Sequence, residues 1–288
     1  MRATTAQLGA RSAAPTLRAA ASLSERSVPD VLPDTSAPGA LAKTILLAGA
    51  AIAGCAIGAI VPAEGGALWA LVTGLAFLGG LLSTWSPCGY SSLATLRPWG
   101  RWSPTAVVAW LPTLAAHGLG YLLGGLLLGG VLALGAVALD VPRGASWPYL
   151  VLGGLACAYA LDQIGVLRLP YPQRKAQVPH DVRFRWPMWR IGLFYGFALG
   201  LNFVTYVRTP ILYLVVGAAL LSGSAATALL LVLAVNLGRF LPLLVNAFPV
   251  TDRAVQQWLA EREQRSVVAG SAALALVGTT LIVDALLG

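Results

Sequence analysis

Charge is the scarcest property of this chain. Acidic and basic side chains make up 10% of its 288 residues, against about 25% in soluble domains. That shortage excludes an ordinary water-soluble globule. There are two histidines, and no cluster at metal-ligand spacing, phosphate-binding loop or catalytic triad can be assembled. No metal or cofactor is therefore expected, and a role other than that of an enzyme. The three cysteines, Cys55, Cys88 and Cys157, all fall in apolar runs. An odd count without C-x-x-C excludes a disulfide-rich scaffold and a self-contained thioredoxin-like motif.

What the chain has instead is apolar length. Hydrophobic residues make up 57%, in runs near the ~20 residues that cross a bilayer as helix. Backbone groups in lipid need internal partners, which leaves helices or a closed barrel. The runs lack the alternation of barrel strands, so the expected fold is all-α and polytopic. The lipid bilayer is its first partner. The net charge of +8 does not point to nucleic acid, because the basic residues gather in loops on one side.

Residues 1–40 are rich in Ala, Ser, Thr and Pro and read as a disordered cytoplasmic tail. Glu25, Asp30 and Asp34 count against an organellar transit peptide. Seven spans are expected, near 41–63, 67–96, 107–139, 149–166, 191–221, 225–248 and 267–287. With the N-terminus inside, inner segments and span edges hold sixteen of the nineteen Lys and Arg residues, and outer segments hold only Arg143. A missed span would swap every later loop, so this bias supports N-terminus in and C-terminus out. Were the first span cleaved, the other six would keep their orientation. The proline-rich basic loop between Asp162 and Arg190 anchors topology on the inner headgroups; docking of a partner is the alternative.

Two spans are broken in the same way. Ser86-Pro87-Cys88-Gly89-Tyr90 and Thr209-Pro210-Ile211-Leu212-Tyr213 both read [Ser/Thr]-Pro-x-x-Tyr. The next span of each triplet carries HGLGY (His117 to Tyr121) or VNLGR (Val235 to Arg239). The domain 67–288 thus reads as repeats 67–166 and 191–288, preceded by one extra N-terminal helix at 41–63. Triplets have an odd number of spans, so the repeats run oppositely through the membrane. Inverted repeats with broken helices mark proteins with a midplane site.

The chemistry should gather at the breaks Pro87 and Pro210. Cys88 follows a helix-breaking proline, and a restarting helix N-terminus stabilises a thiolate; a buried apolar cysteine is the plainer reading of Cys55 and Cys157. An arginine at mid-span costs about 2.5–3.5 kcal/mol unless paired or hydrated. Arg208 and Arg239 are two such residues, and a water-filled cavity, an anion or freed carbonyls would satisfy them. Thr209, Ser86, Tyr90, Tyr213, Asn202, Asn236 and His117 are the further candidates to line that cavity, with His117 alone more typical of a satisfied core histidine.

The broken helix SPCGY, the repeated [Ser/Thr]-Pro and the run GLFYGFALGLNFVTYVRTPIL resemble the CcdA/DsbD transmembrane family of cytochrome c biogenesis proteins. That family moves reducing equivalents across bacterial inner membranes with one cysteine after a proline in each repeat. The resemblance places the first at Cys88 and the second at Ile211, which removes the dithiol. WSPCGYSSL, the loop LPYPQRKAQVPHD and the extra N-terminal span look like the MauF family of methylamine-utilisation membrane proteins. This resemblance implies an inner-membrane accessory in maturation of a periplasmic enzyme, methylamine dehydrogenase. Its partners would be periplasmic or membrane proteins of the methylamine-utilisation and thiol-disulfide pathways, with Cys88 as a single-thiol relay. A small-solute transporter and a non-catalytic scaffold are the alternatives.

Overall fold

In a computed structural model the described residues are 38–60, 66–98, 100–142, 145–171, 186–203 and 209–287. The expectations for the tail, for Arg208 and for the middle of the basic loop fall on residues outside this set. Every regular element among the described residues is helical. They are α1 (Ala40–Ile60), α2 (Ala67–Leu82), a 3-10 turn (Ser83–Trp85), α3 (Pro87–Thr95), α4 (Pro104–Leu139) and α5 (Trp147–Gln163). Then come α6 (Met188–Gly200), α7 (Ile211–Leu221), α8 (Ala225–Phe240), a second 3-10 segment (Leu241–Ala247) and α9 (Asp252–Leu287).

Five of these segments are long and apolar enough to cross a membrane: α1, α2 with its 3-10 turn, α4, α8 with its 3-10 segment, and α9. The spans expected at 149–166 and 191–221 take another form. The first is α5, of 17 residues. The second is two short helices, α6 with 13 residues and α7 with 11. The chain is thus a multi-pass helical membrane protein.

Boundaries follow local chemistry. Ser103 Oγ accepts from Ala106 N at 3.1 Å, with Pro104 as the first helical residue of α4, where its missing N–H is harmless. The Ser224 hydroxyl likewise accepts from Thr227 N to start α8. The last helix departs from the expected 267–287 by starting at Asp252. Thr251 Oγ1 caps it through Ala254 N at 3.2 Å, and Asp252 pairs with Gln256 one turn on. The added turns, too polar to be read as a span, are held by Trp85, whose Nε1 donates to the Leu259 carbonyl at 2.9 Å. Its ring also packs on Trp258, centroids 5.5 Å apart.

The helices meet through glycines, as expected where no water drives association. α2 crosses α8 at Gly80 and Gly238, and α4 crosses α6 at Gly120 and Gly196. A Cβ on Gly80 would stand 2.1 Å from the Val235 carbonyl oxygen, and one on Gly238 would stand 2.1 Å from that of Phe77. At the other crossing, a Cβ on Gly120 would meet the Leu193 oxygen at 2.3 Å, and one on Gly196 that of His117 at 2.1 Å. The main apolar core includes Leu75, Leu214, Val232 and Leu274. α1 packs chiefly on α9. Gly54 and Gly58 bring it close enough for Thr279 and Thr280 to donate to the carbonyls of Ala51 and Gly54, both at 3.1 Å.

Candidate functional site

A helix restarts at Pro87, and α6 and α7 are separate helices with Pro210 just before the second. At the first break, the chain leaves α2 through the 3-10 turn, becomes extended at Ser86 (φ −82°, ψ 152°), and restarts at Pro87 as α3. Pro87 occupies the first helical position and Cys88 the second, so the thiol sits in the first turn of a helix. Gly89 is required by the fold-back: a Cβ there would lie 2.6 Å from the Ser83 carbonyl oxygen. Ser86 is fully buried, and its hydroxyl donates to that same carbonyl.

Cys88 does not face an aqueous cavity. It is 3% exposed and packs with Tyr121, Leu199 and Phe240. His117 joins this group, its ring centroid 4.9 Å from that of Tyr121 and 6.3 Å from that of Phe240. Its Nδ1 bonds with the Gly192 carbonyl at 2.9 Å, so it is a satisfied core histidine. No disulfide involves any of the three cysteines. The Cys157 sulfur lies against Gly278 of α9, and Cys55 is exposed on α1.

At the second break α6 ends at Gly200, and Asn202 takes a left-handed conformation, φ 57°, which asparagine tolerates better than most residues. The end of α6 leaves carbonyls without helical partners. Side chains of α8 satisfy two of them. Asn236 and Arg239 are three residues apart, hence on one helix face. Asn236 Nδ2 reaches the Gly200 carbonyl at 3.1 Å and the Tyr121 carbonyl of α4 at 3.2 Å. Arg239 Nη1 donates to the Leu199 carbonyl at 2.9 Å and to Asn202 Oδ1 at 2.7 Å. Asn202 Nδ2 donates to Asn236 Oδ1 and to the Gly200 carbonyl, both at 3.0 Å. Three of the predicted residues therefore form one buried network, and freed carbonyls account for Arg239.

Arg239 is 6% exposed, and its Nη2 is buried without a hydrogen-bond partner among the described residues. The residue borders a slit lined also by Ser83, Asn202, Thr209 and Ile211 that has no room for a water molecule. Among the described residues, Arg239 thus faces a closed seam. Ile211, at the position matching Cys88, is fully buried against Gly79.

Two predicted residues lie elsewhere. Tyr90 is on α3, packed beside Trp85 and facing the start of α9 around Asp252 and Gln256. Tyr213 belongs to an aromatic group with Tyr159, Tyr171 and Phe203 at centroid distances of 5.9, 5.9 and 6.2 Å. No group of three or more potential metal ligands occurs among the described residues. Sequence reasoning missed Asn246, whose Nδ2 holds the Leu93 and Leu96 carbonyls at 3.0 and 3.1 Å. Nothing in its neighbourhood of apolar residues signals a cap on a helix 150 residues away.

Comparison with known proteins gives a consistent result. The chain is 47% identical over 92% of its length to the methylamine utilization protein MauF of Paracoccus denitrificans, covering 96% of that protein. It is 48% identical to MauF of Methylorubrum extorquens, over 82% of this chain and 83% of the relative. MauF of Methylophilus methylotrophus is also 48% identical, over 75% and 76%. No family model and no solved structure matches, so the wider likeness to CcdA/DsbD proteins remains one of short motifs.

Proposed function

We propose, from the premise that this chain belongs to the MauF family of methylamine utilization proteins, that it is a non-enzymatic membrane accessory of that pathway. It would sit in the bacterial inner membrane and serve maturation of a periplasmic enzyme, methylamine dehydrogenase. The observation that carries this reading is the similarity of 44–50% that extends over most of the chain, breaks included. The sixteen-to-one distribution of basic residues supports a cytoplasmic N-terminus and a periplasmic C-terminus.

The proposed architecture is one N-terminal helix followed by two oppositely directed triplets, in which α6 and α7 together count as one broken crossing and α5 as another. The two glycine crossings support it. Gly120 and Gly238 occupy matching places in HGLGY and VNLGR. Each meets a glycine in the first helix of the other triplet, and each crossing uses the carbonyl three residues earlier on both sides: Phe77 and Val235 at one, Leu193 and His117 at the other.

The mechanism we propose is a relay in which the Cys88 thiol attacks a disulfide of a partner protein, forming a mixed disulfide and releasing the partner's other sulfur as a thiol, until a thiol of a further protein displaces Cys88. The sulfur lies in the first turn of α3, beside the break. Its burial means that α3 must move before a partner can reach it. Cys88→Ser tests the step: dehydrogenase assembly should fall sharply in cells carrying only that variant. If assembly is intact, the accessory role survives as a scaffold without thiol chemistry. The Nη2 group of Arg239 at the seam favours a second reading, a small-solute transporter whose site is closed in this conformation. Proteoliposome uptake of anionic solutes, abolished by Arg239→Gln, would establish it.

A further inference from the structure

A cavity of about 580 Å³ opens at the end of the bundle where the α3–α4 connection faces the connection into α9. Its walls include Arg97, Arg101, Trp102, Met188, Thr251 and Asp252. The walls are tied together without any ligand. Arg97 Nη1 meets Asp252 Oδ1 at 3.0 Å, and its Nη2 donates to the Val250 carbonyl. Trp102 Nε1 donates to the Ala247 carbonyl at 3.0 Å. Asn246, also in the lining, fixes the floor through the last carbonyls of α3.

The charges are not balanced. Asp252 satisfies Arg97, whereas Arg101 is exposed on the wall with no ion pair or hydrogen bond among the described residues. The flanking side chains are of the kind found at a membrane–water boundary. Trp102, Trp186 and Trp189 are exposed at the adjoining ends of α4 and α6, as tryptophans are at a membrane–water boundary. From the cavity, α4 runs into the bilayer with Val108 and Leu111 exposed, a surface on which acyl chains can lie.

We propose that this cavity binds a phosphate ester whose tail carries hydrogen-bond donors, as the headgroup of phosphatidylglycerol does. The Arg101 guanidinium takes the phosphate oxygens, a strong charge-assisted arrangement. The Asp252 carboxylate accepts from the glycerol hydroxyls, and the Thr95 and Thr251 hydroxyls, which share the lining, accept from or donate to them. A trimethylammonium tail offers no donor and fits less well. This inference stands apart from the proposed role in enzyme maturation.

Native mass spectrometry of the full chain in detergent, titrated with phosphatidylglycerol, tests it. Arg101→Ala should weaken binding about tenfold, the scale of one lost charge-assisted contact. Phosphatidylcholine should bind more weakly than phosphatidylglycerol to the unaltered protein. Arg262→Ala, at a half-buried basic site over the Trp258 ring and outside the cavity, should leave affinity unchanged. Competition by sn-glycerol 3-phosphate at Arg101, without lipid binding, would retain the phosphate site and assign it a soluble ligand. Equal affinity in Arg101→Ala, equal loss in Arg262→Ala, or equal binding of phosphatidylcholine would each overturn the proposal. Arg101 is exposed and unpaired among the described residues, so its replacement leaves folding intact.

Discussion

The guanidinium of Arg239 donates to Oδ1 of Asn202 at 2.7 Å, joining α8 to the point where α6 stops. The same nitrogen holds the Leu199 carbonyl. A break that would leave the backbone unsatisfied in lipid is closed by two side chains of another helix, Arg239 and Asn236.

Removing the arginine should be costly. Arg239→Met should lower stability by about 2–3 kcal/mol, since hydrogen bonds to charged groups are worth about 1.5–3 kcal/mol and two buried acceptors lose their donor. Reversible unfolding in detergent measures it. A loss below about 0.5 kcal/mol would mean the network carries little of the break's stability.

Asn202 separates backbone from side-chain effects. Asn202→Gly keeps access to φ 57° and loses the hydrogen bonds. Asn202→Ala loses both, so it should be the less stable by about 1 kcal/mol. Equal stabilities would show that the left-handed conformation is not maintained in solution.

The glycine crossings make a paired prediction. Gly80→Ala and Gly196→Ala should each destabilise by about 1–3 kcal/mol, the scale of overpacking, and by similar amounts. Gly130→Ala on α4 has nothing within 4 Å of the added carbon and should be neutral or slightly stabilising. Thermal unfolding of the three variants decides this. A crossing that tolerates alanine at one place and not the other would remove the support for two equivalent triplets.

Orientation is open to a direct assay. Alkaline phosphatase fused after the C-terminal residue should be active, and fused within the basic loop at 172–185 inactive. The reverse pattern would invert the whole topology.

The sequence made the breaks legible because proline acts locally. Pro87 removes an N–H and biases the residue before it, and Ser86 is extended as that rule requires. Asn202, Asn236 and Arg239 were legible as a set because polar groups inside apolar runs need partners. Their partners were not: whether an arginine meets water or a carbonyl depends on where α6 ends, and no residue type announces a left-handed asparagine. The beginning of α9 was missed because its first turns are polar, and bilayer length alone cannot say how far a helix continues into water. The short HGLGY and VNLGR runs held more than their likeness suggested. Their shared glycines mark two of the contacts that no side chain can enter.

The last helix has 36 residues, about 54 Å at the usual rise, while the hydrocarbon core is about 30 Å thick. Both α1 and α5 lean on it. Its polar first turns therefore reach past the apolar length, so that a force on the turns around Trp258 would tilt a stiff rod and carry α1 and α5 with it.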